Sequence, residues 1–166
     1  AHTHVPLWAL VYHLVRMGHT SEALTCVQDN EDALQVSDSS FLAFFKAWAD
    51  DAQRQLPRSM RDHWMGEYVT RFRNMAPEDP YRYALYRLMG RFDVTKKFPA
   101  PLVMSTENWL WLQLCLVSES AAAAEPANVQ APTLQTYTLH DLANKLEKYG
   151  EAHFDPKGHR PLHYFQ

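Results

Sequence analysis

The chain has 166 residues, of which 46% are apolar and 21% charged, and 16 Lys plus Arg against 19 Asp plus Glu give a net charge of −3. That size fits one domain burying roughly 70% of its unfolded surface, and the composition is globular and argues against disorder. Nineteen Ala and nineteen Leu stand beside ten Val, no Ile, five Gly and ten Pro, which disfavours a sandwich, a barrel or a parallel α/β sheet and predicts an all-α fold.

Cys26 and Cys115 show neither CxxC nor Cys/His ligand spacing, so no disulfide framework or zinc site is indicated, and a reducing compartment fits. No signal peptide precedes Ala1, and no apolar run approaches the ~20 residues of a membrane span. The missing initiator Met and the closeness of a helix start at Pro161 to Gln166 read as a slice of something longer.

In chain order, the first expected helix runs from Pro6 to Met17, with Pro at its first position and Gly18 as its stop. Leu7, Leu10, Val11 and Leu14 form one stripe, and Trp8, Tyr12 and Val15 form a second beside it. Two stripes predict neighbours on two sides. Thr20 caps a short helix with Ala23, Leu24 and Val27, and the acidic stretch from Asp29 to Asp38 reads as a connector. Ser39 or Ser40 starts a helix carrying Phe41, Phe44, Phe45, Trp48 and Ala52. Pro57 opens another, with Met60, Trp64, Tyr68 and Phe72 at successive i,i+4 positions.

Asp79-Pro80 to Gly90 is the best-punctuated element, with Asp as N-cap, Pro at N1 and Gly just past the end. Its expected buried face is Tyr81, Ala84, Leu85 and Leu88, with Arg82, Tyr86 and Arg87 pointing elsewhere. A loop from Lys96 to Pro101 follows. Ser105 or Thr106 then caps a helix in which Trp109 to Val117 holds a single polar residue, Gln113. Such an all-round apolar helix is expected at the centre of its assembly. Residues 118–136, Ala-rich with two prolines, read as a flexible surface loop. Thr138 caps the next helix (Leu139, Leu142, Ala143, Leu146, Tyr149), which Gly150 ends. The sum is seven helices and a truncated eighth, in short-linked pairs without a strict repeat. That grammar fits an irregular α-solenoid of stacked antiparallel hairpins, with residues 1–166 forming part of one such domain; a closed bundle is the competing architecture.

Chemistry-bearing patterns are sparse. Nine histidines invite a metal reading, but His159 and His163 are separated by Pro161 and HExxH is absent, so scattered surface imidazoles are the simpler account. There is no nucleophile elbow, no Gly-rich phosphate loop and no reactive-Cys signature. Asp50 and Asp51, adjacent on a helix, point about 100° apart and do not share a proton. No enzyme, cofactor or metal is therefore expected.

Charge is segregated: residues 1–53 carry two basic and seven acidic groups, residues 54–97 ten and five, and residues 98–166 four and seven. The arginine-rich middle, with its aromatics, is the one nucleic-acid-like feature. Five interrupting acids and an acidic chain favour helical layers pairing opposite charges instead. Among the aromatics, Tyr83, Tyr86 and Trp111 fall off the core stripes. With Arg87 beside them, Tyr83, Tyr86, Arg87 and Trp111 are the candidates for a partner-binding surface, since Arg and large aromatics anchor interfaces; packing on an adjoining layer is the alternative.

Several strings resemble one family in order: Pro6-Leu-Trp-Ala-Leu-Val-Tyr12 leading to Gly18 and Glu22-Ala-Leu24, then Asp79-Pro-Tyr-Arg-Tyr-Ala-Leu-Tyr86 with Gly90-Arg91 and Asp93. Glu107-Asn-Trp-Leu-Trp-Leu112, Tyr149-Gly-Glu-Ala-His-Phe154 and Leu162-His-Tyr-Phe-Gln166 continue the series. Together they resemble the nucleoporin-interacting component family, the large scaffold nucleoporins of the nuclear pore inner ring. Residues 30–78 match poorly. The resemblance implies an α-solenoid without catalysis, located at the nuclear pore in the nuclear envelope. It implies other inner-ring and linker nucleoporins as partners; the charge pattern and the short apolar runs lead to no expectation of direct nucleic-acid binding or of a transmembrane segment. A cytosolic helical-repeat peptide-binding adaptor and a nucleic-acid-binding helical repeat are the other readings.

Overall fold

A computed structural model of the chain describes residues 6–76, 78–118 and 136–154, the last four through their backbone alone. The loop expected at 118–136 and the helix expected from Pro161 lie almost wholly outside the described residues. Helices α1 (Leu7–Arg16), α2 (Thr20–Asp29), α3 (Glu31–Ser37), α4 (Phe41–Asp50) and α5 (Arg58–Glu67) come first. A π-helical turn (Tyr68–Phe72), α6 (Pro80–Gly90), a 3-10 turn (Ala100–Leu102), α7 (Thr106–Leu116) and α8 (Leu139–Phe154) follow, with no strand among the described residues. Contacts divide the chain into two compact units. One takes the residues up to Phe92 with Lys97–Leu102, and the other takes Asp93–Lys96 with the residues from Val103 onward.

In the first unit α6 lies against α1, α5, the π turn and the 3-10 turn, while α2 and α3 lie against α4. Pro6 precedes α1 as expected, and Gly18, at φ +84°, makes the turn that folds α2 back against it. Val11, Ala23 and Val27 are fully buried in that hairpin. The front stripe of α1 is more open than its pattern predicts, with Leu10 39% exposed.

The acidic stretch read as a connector is helical: α3 occupies Glu31–Ser37 and buries Leu34. Ala52 lies beyond the end of α4, at Asp50. The aromatic series on α5 meets a geometric difficulty. Each i,i+4 step drifts by about 40° around an ideal helix, so Tyr68 and Phe72 would rotate off the inner face. The wider π turn, closed by the bond from Arg73 N to Tyr68 O at 2.8 Å, takes that drift back. Tyr68 and Phe72 are 1% and 0% exposed.

The cap of α6 is as expected: the Asp79 carboxylate accepts from Arg82 N at 3.0 Å, and Pro80 opens the helix. Its end differs. Gly90 is still helical and Arg91 takes the left-handed position (φ 52°, ψ 48°), with Phe92 N bonded to Arg87 O at 3.1 Å. Glycine is needed at 90 for space, because a Cβ there would sit 2.2 Å from the Phe92 ring that folds back over the helix end.

In the second unit, Ser105 Oγ caps α7 by accepting from Asn108 N at 3.2 Å. Thr138 and Asp141 cap α8 reciprocally: Asp141 N donates to Thr138 Oγ1 at 3.2 Å, and the Asp141 carboxylate accepts from Thr138 N at 2.9 Å. Those bonds to Thr138, the backbone one foremost, hold the Asp141 carboxyl below its ordinary range. Gly150 (φ 64°, ψ 174°) interrupts α8 where the sequence predicts its stop, and helical backbone resumes to Phe154. Despite its composition, α7 is not buried all round: Leu112, Gln113 and Leu116 are buried, whereas Leu114 is 46% exposed.

Candidate functional site

Nothing among the described residues assembles a reaction centre. No three His, Cys, Asp or Glu side chains converge as metal ligands there, and burial, with Asp29 adding to it, pushes the Cys26 thiol up. No helix among the described residues is long and apolar enough to cross a membrane. What the first unit does build is a dense aromatic and polar centre around α6.

Tyr86 is its hub. Trp64 stacks on it at 4.1 Å with planes 3° apart, Phe72 lies 3.8 Å away and Phe41 5.6 Å away. Trp64 Nε1 donates to the Tyr86 carbonyl at 3.0 Å, and the Tyr86 hydroxyl donates to Asp38 Oδ1 at 2.7 Å. Asp38, 1% exposed, also takes an ion pair from Arg82, whose guanidinium lies 5.1 Å from the Trp8 ring and 4.7 Å from that of Phe72. Burial, with the Asp38 charge second, pushes the Tyr86 phenol far above its ordinary range and keeps it a donor.

Arg87 fills a second buried niche: Nε donates to Phe92 O at 3.2 Å, Nη1 donates to Lys97 O at 3.3 Å, and the guanidinium lies 3.8 Å from the Phe98 ring centre. Tyr83 stands beside it, its ring 6.1 Å from Tyr68. Tyr83, Tyr86 and Arg87, read from the sequence as surface anchors, are each 0% exposed. They face inward because α6 has neighbours on several sides, so burial runs unbroken from Tyr83 to Gly90 instead of following one stripe. Trp111 is different: it is half-buried on α7, one turn before the exposed Leu114.

Two polar anchors escape a reading for surface sites. Asp38 sits in the stretch read as a connector, and only its position before the Ser39-Ser40 helix start hints at a role; its carbonyl accepts from Phe41 N at 2.9 Å. Gln113 was legible as the lone polar residue in an apolar run. It is 2% exposed, and its Oε1 accepts from Tyr137 Oη at 3.1 Å and from Lys145 Nζ at 2.8 Å.

Four arginines of the basic middle stretch reach back to the acidic first third. Arg82 pairs with Asp38, Arg71 donates to Ser37 O, Arg54 donates to Ala49 O, and Arg91 donates to Gln53 O. Of these four contacts the Arg82–Asp38 pair joins opposite charges, and the other three go to backbone carbonyls.

Such a chain is an all-helical packing module in which Asp38, Arg87 and Gln113 are polar residues held in the core. The model of the Nup93/Nic96 family matches residues 1–166, and the chain belongs to that family, one of structural nucleoporins. It is 34% identical over 150 residues to Nucleoporin NIC96 of Saccharomyces cerevisiae, covering 90% of this chain and 17% of that protein. Against the Nuclear pore complex protein Nup93 of Danio rerio, identity is 31% over 165 residues, covering 97% and 18% respectively. Among solved structures, the Chaetomium thermophilum Nic96 SOL crystal structure superposes with a TM-score of 0.70 at 31% identity, covering 89% of this chain and 20% of that one. The fold is thus the α-solenoid that the hairpin grammar predicts, and the chain spans about a fifth of the relatives it matches.

Proposed function

We propose that this chain is a segment of the structural scaffold of the nuclear pore complex inner ring, held at the nuclear envelope, and that its residues 1–166 lie within one solenoid domain. The observation that carries the reading is the family match across all 166 residues. The buried α6 centre fits it, because its polar side chains hold helix to helix. Other nucleoporins, scaffold and linker alike, are the partners, and any membrane association runs through the complex.

For the contact itself the candidates are Trp111, half-buried on α7, and Leu114, 46% exposed one turn further on. Tyr83, Tyr86 and Arg87 act from inside, setting the position of α6. The test is affinity purification of the tagged full chain from nuclear-envelope extract, alongside Leu114→Glu and Trp111→Ala. The chain recovers nucleoporins, and Leu114→Glu lowers that recovery about tenfold while melting as the parent does. Recovery of no nucleoporins by the parent overturns the scaffold reading; full recovery by both variants overturns the α7 surface alone.

A further inference from the structure

Ser37 closes α3 and is exposed, yet its hydroxyl donates at 2.7 Å to Oδ2 of Asp38, the carboxylate that is 1% exposed. The other oxygen of that carboxylate holds Arg82 and the Tyr86 hydroxyl, and the Ser37 carbonyl takes the Arg71 guanidinium. A surface serine is therefore wired directly to the pin that fastens the α3–α4 corner to α6. Within α3 the one buried residue is Leu34, and Val36, next to Ser37, is 91% exposed.

We propose that Ser37 is a phosphorylation site whose modification releases α3 from the first unit. A protein kinase transfers the γ-phosphoryl group of ATP: the Ser37 Oγ–P bond forms, the bond to the β,γ-bridging oxygen breaks, ADP leaves, and the hydroxyl proton passes to the kinase's base. Three consequences act in one direction. The donor bond to Asp38 is lost. A charge of about −1.5 to −2 is placed beside a buried carboxylate and at a helix C-terminus, where the macrodipole already disfavours anions. Arg71 and Arg82, the nearest cations, are drawn to the phosphate and away from Ser37 O and Asp38. This inference stands independently of the nuclear-pore reading, since it concerns the corner between α3 and α4 alone.

The experiment compares the full chain carrying phosphoserine at 37, placed there during translation, with the unmodified chain and with Ser37→Ala. Amide hydrogen exchange is followed in residues 31–37. Phosphoserine speeds exchange there at least tenfold, phosphatase treatment reverses it, and Ser37→Ala stays within about threefold of the parent. Unchanged exchange with phosphoserine overturns the release. Equal acceleration by Ser37→Ala also overturns it, since the lost hydroxyl and not the added charge would then be responsible. Mass spectrometry of the chain from growing source cells decides use: phosphate at Ser37 supports the site, and its absence there throughout the growth cycle overturns it.

Discussion

A carboxylate 1% exposed is tolerable only with partners, and Asp38 has three side-chain donors: Arg82, Tyr86 and Ser37. Removing it strands a guanidinium and a phenol in the core, so Asp38→Ala is expected to destabilise the chain by about 3–5 kcal/mol in urea unfolding. The same node gives stability a pH limit. Tyr86 has a phenol pKa raised in the folded state, chiefly by burial, so the folded chain keeps a proton that the unfolded chain releases above about pH 10. Its contribution is complete below that pH and lost as pH rises beyond it. Urea midpoints measured between pH 8 and 11 should therefore fall, and Tyr86→Phe should flatten part of that fall.

Among the elements, those with local punctuation were legible. Asp79, Ser105 and Thr138 cap α6, α7 and α8, and Gly18 and Gly150 break the chain, because the signals sit in the residues that make the bonds and turns. Helix α3 was not legible, since it is held at its C-terminal end by Arg71 and Arg82, distant residues that its own seven do not reveal. The role of Gly90 was half legible. A terminal glycine suggests a left-handed residue, but that conformation falls to Arg91, and the glycine instead admits the Phe92 ring. Gly90→Ala should cost about 1–3 kcal/mol through overpacking, and Phe92→Leu in the same chain should recover part of it; thermal melts of the four proteins check this. The partner candidates on α6 were misplaced for a related reason. A single-stripe reading assigns off-stripe Tyr83, Tyr86 and Arg87 to solvent, whereas a helix flanked by α1, α5 and two turns buries them.

At the scale of the first unit, arginines of the basic middle reach carbonyls and a carboxylate of the acidic beginning, and Trp64, Phe72 and Phe41 gather around Tyr86 of α6. The chain spans about a fifth of the length of its relatives. Of the two rival readings, the nucleic-acid one is tested by a binding titration across salt, since phosphate contacts weaken steeply as salt rises. The cytosolic adaptor is separated by place. The most direct measurement is the location of the fluorescently tagged full chain, expressed at its natural level in source cells. The scaffold account predicts a punctate nuclear rim coincident with pore markers; diffuse cytosolic signal with no rim would contradict it.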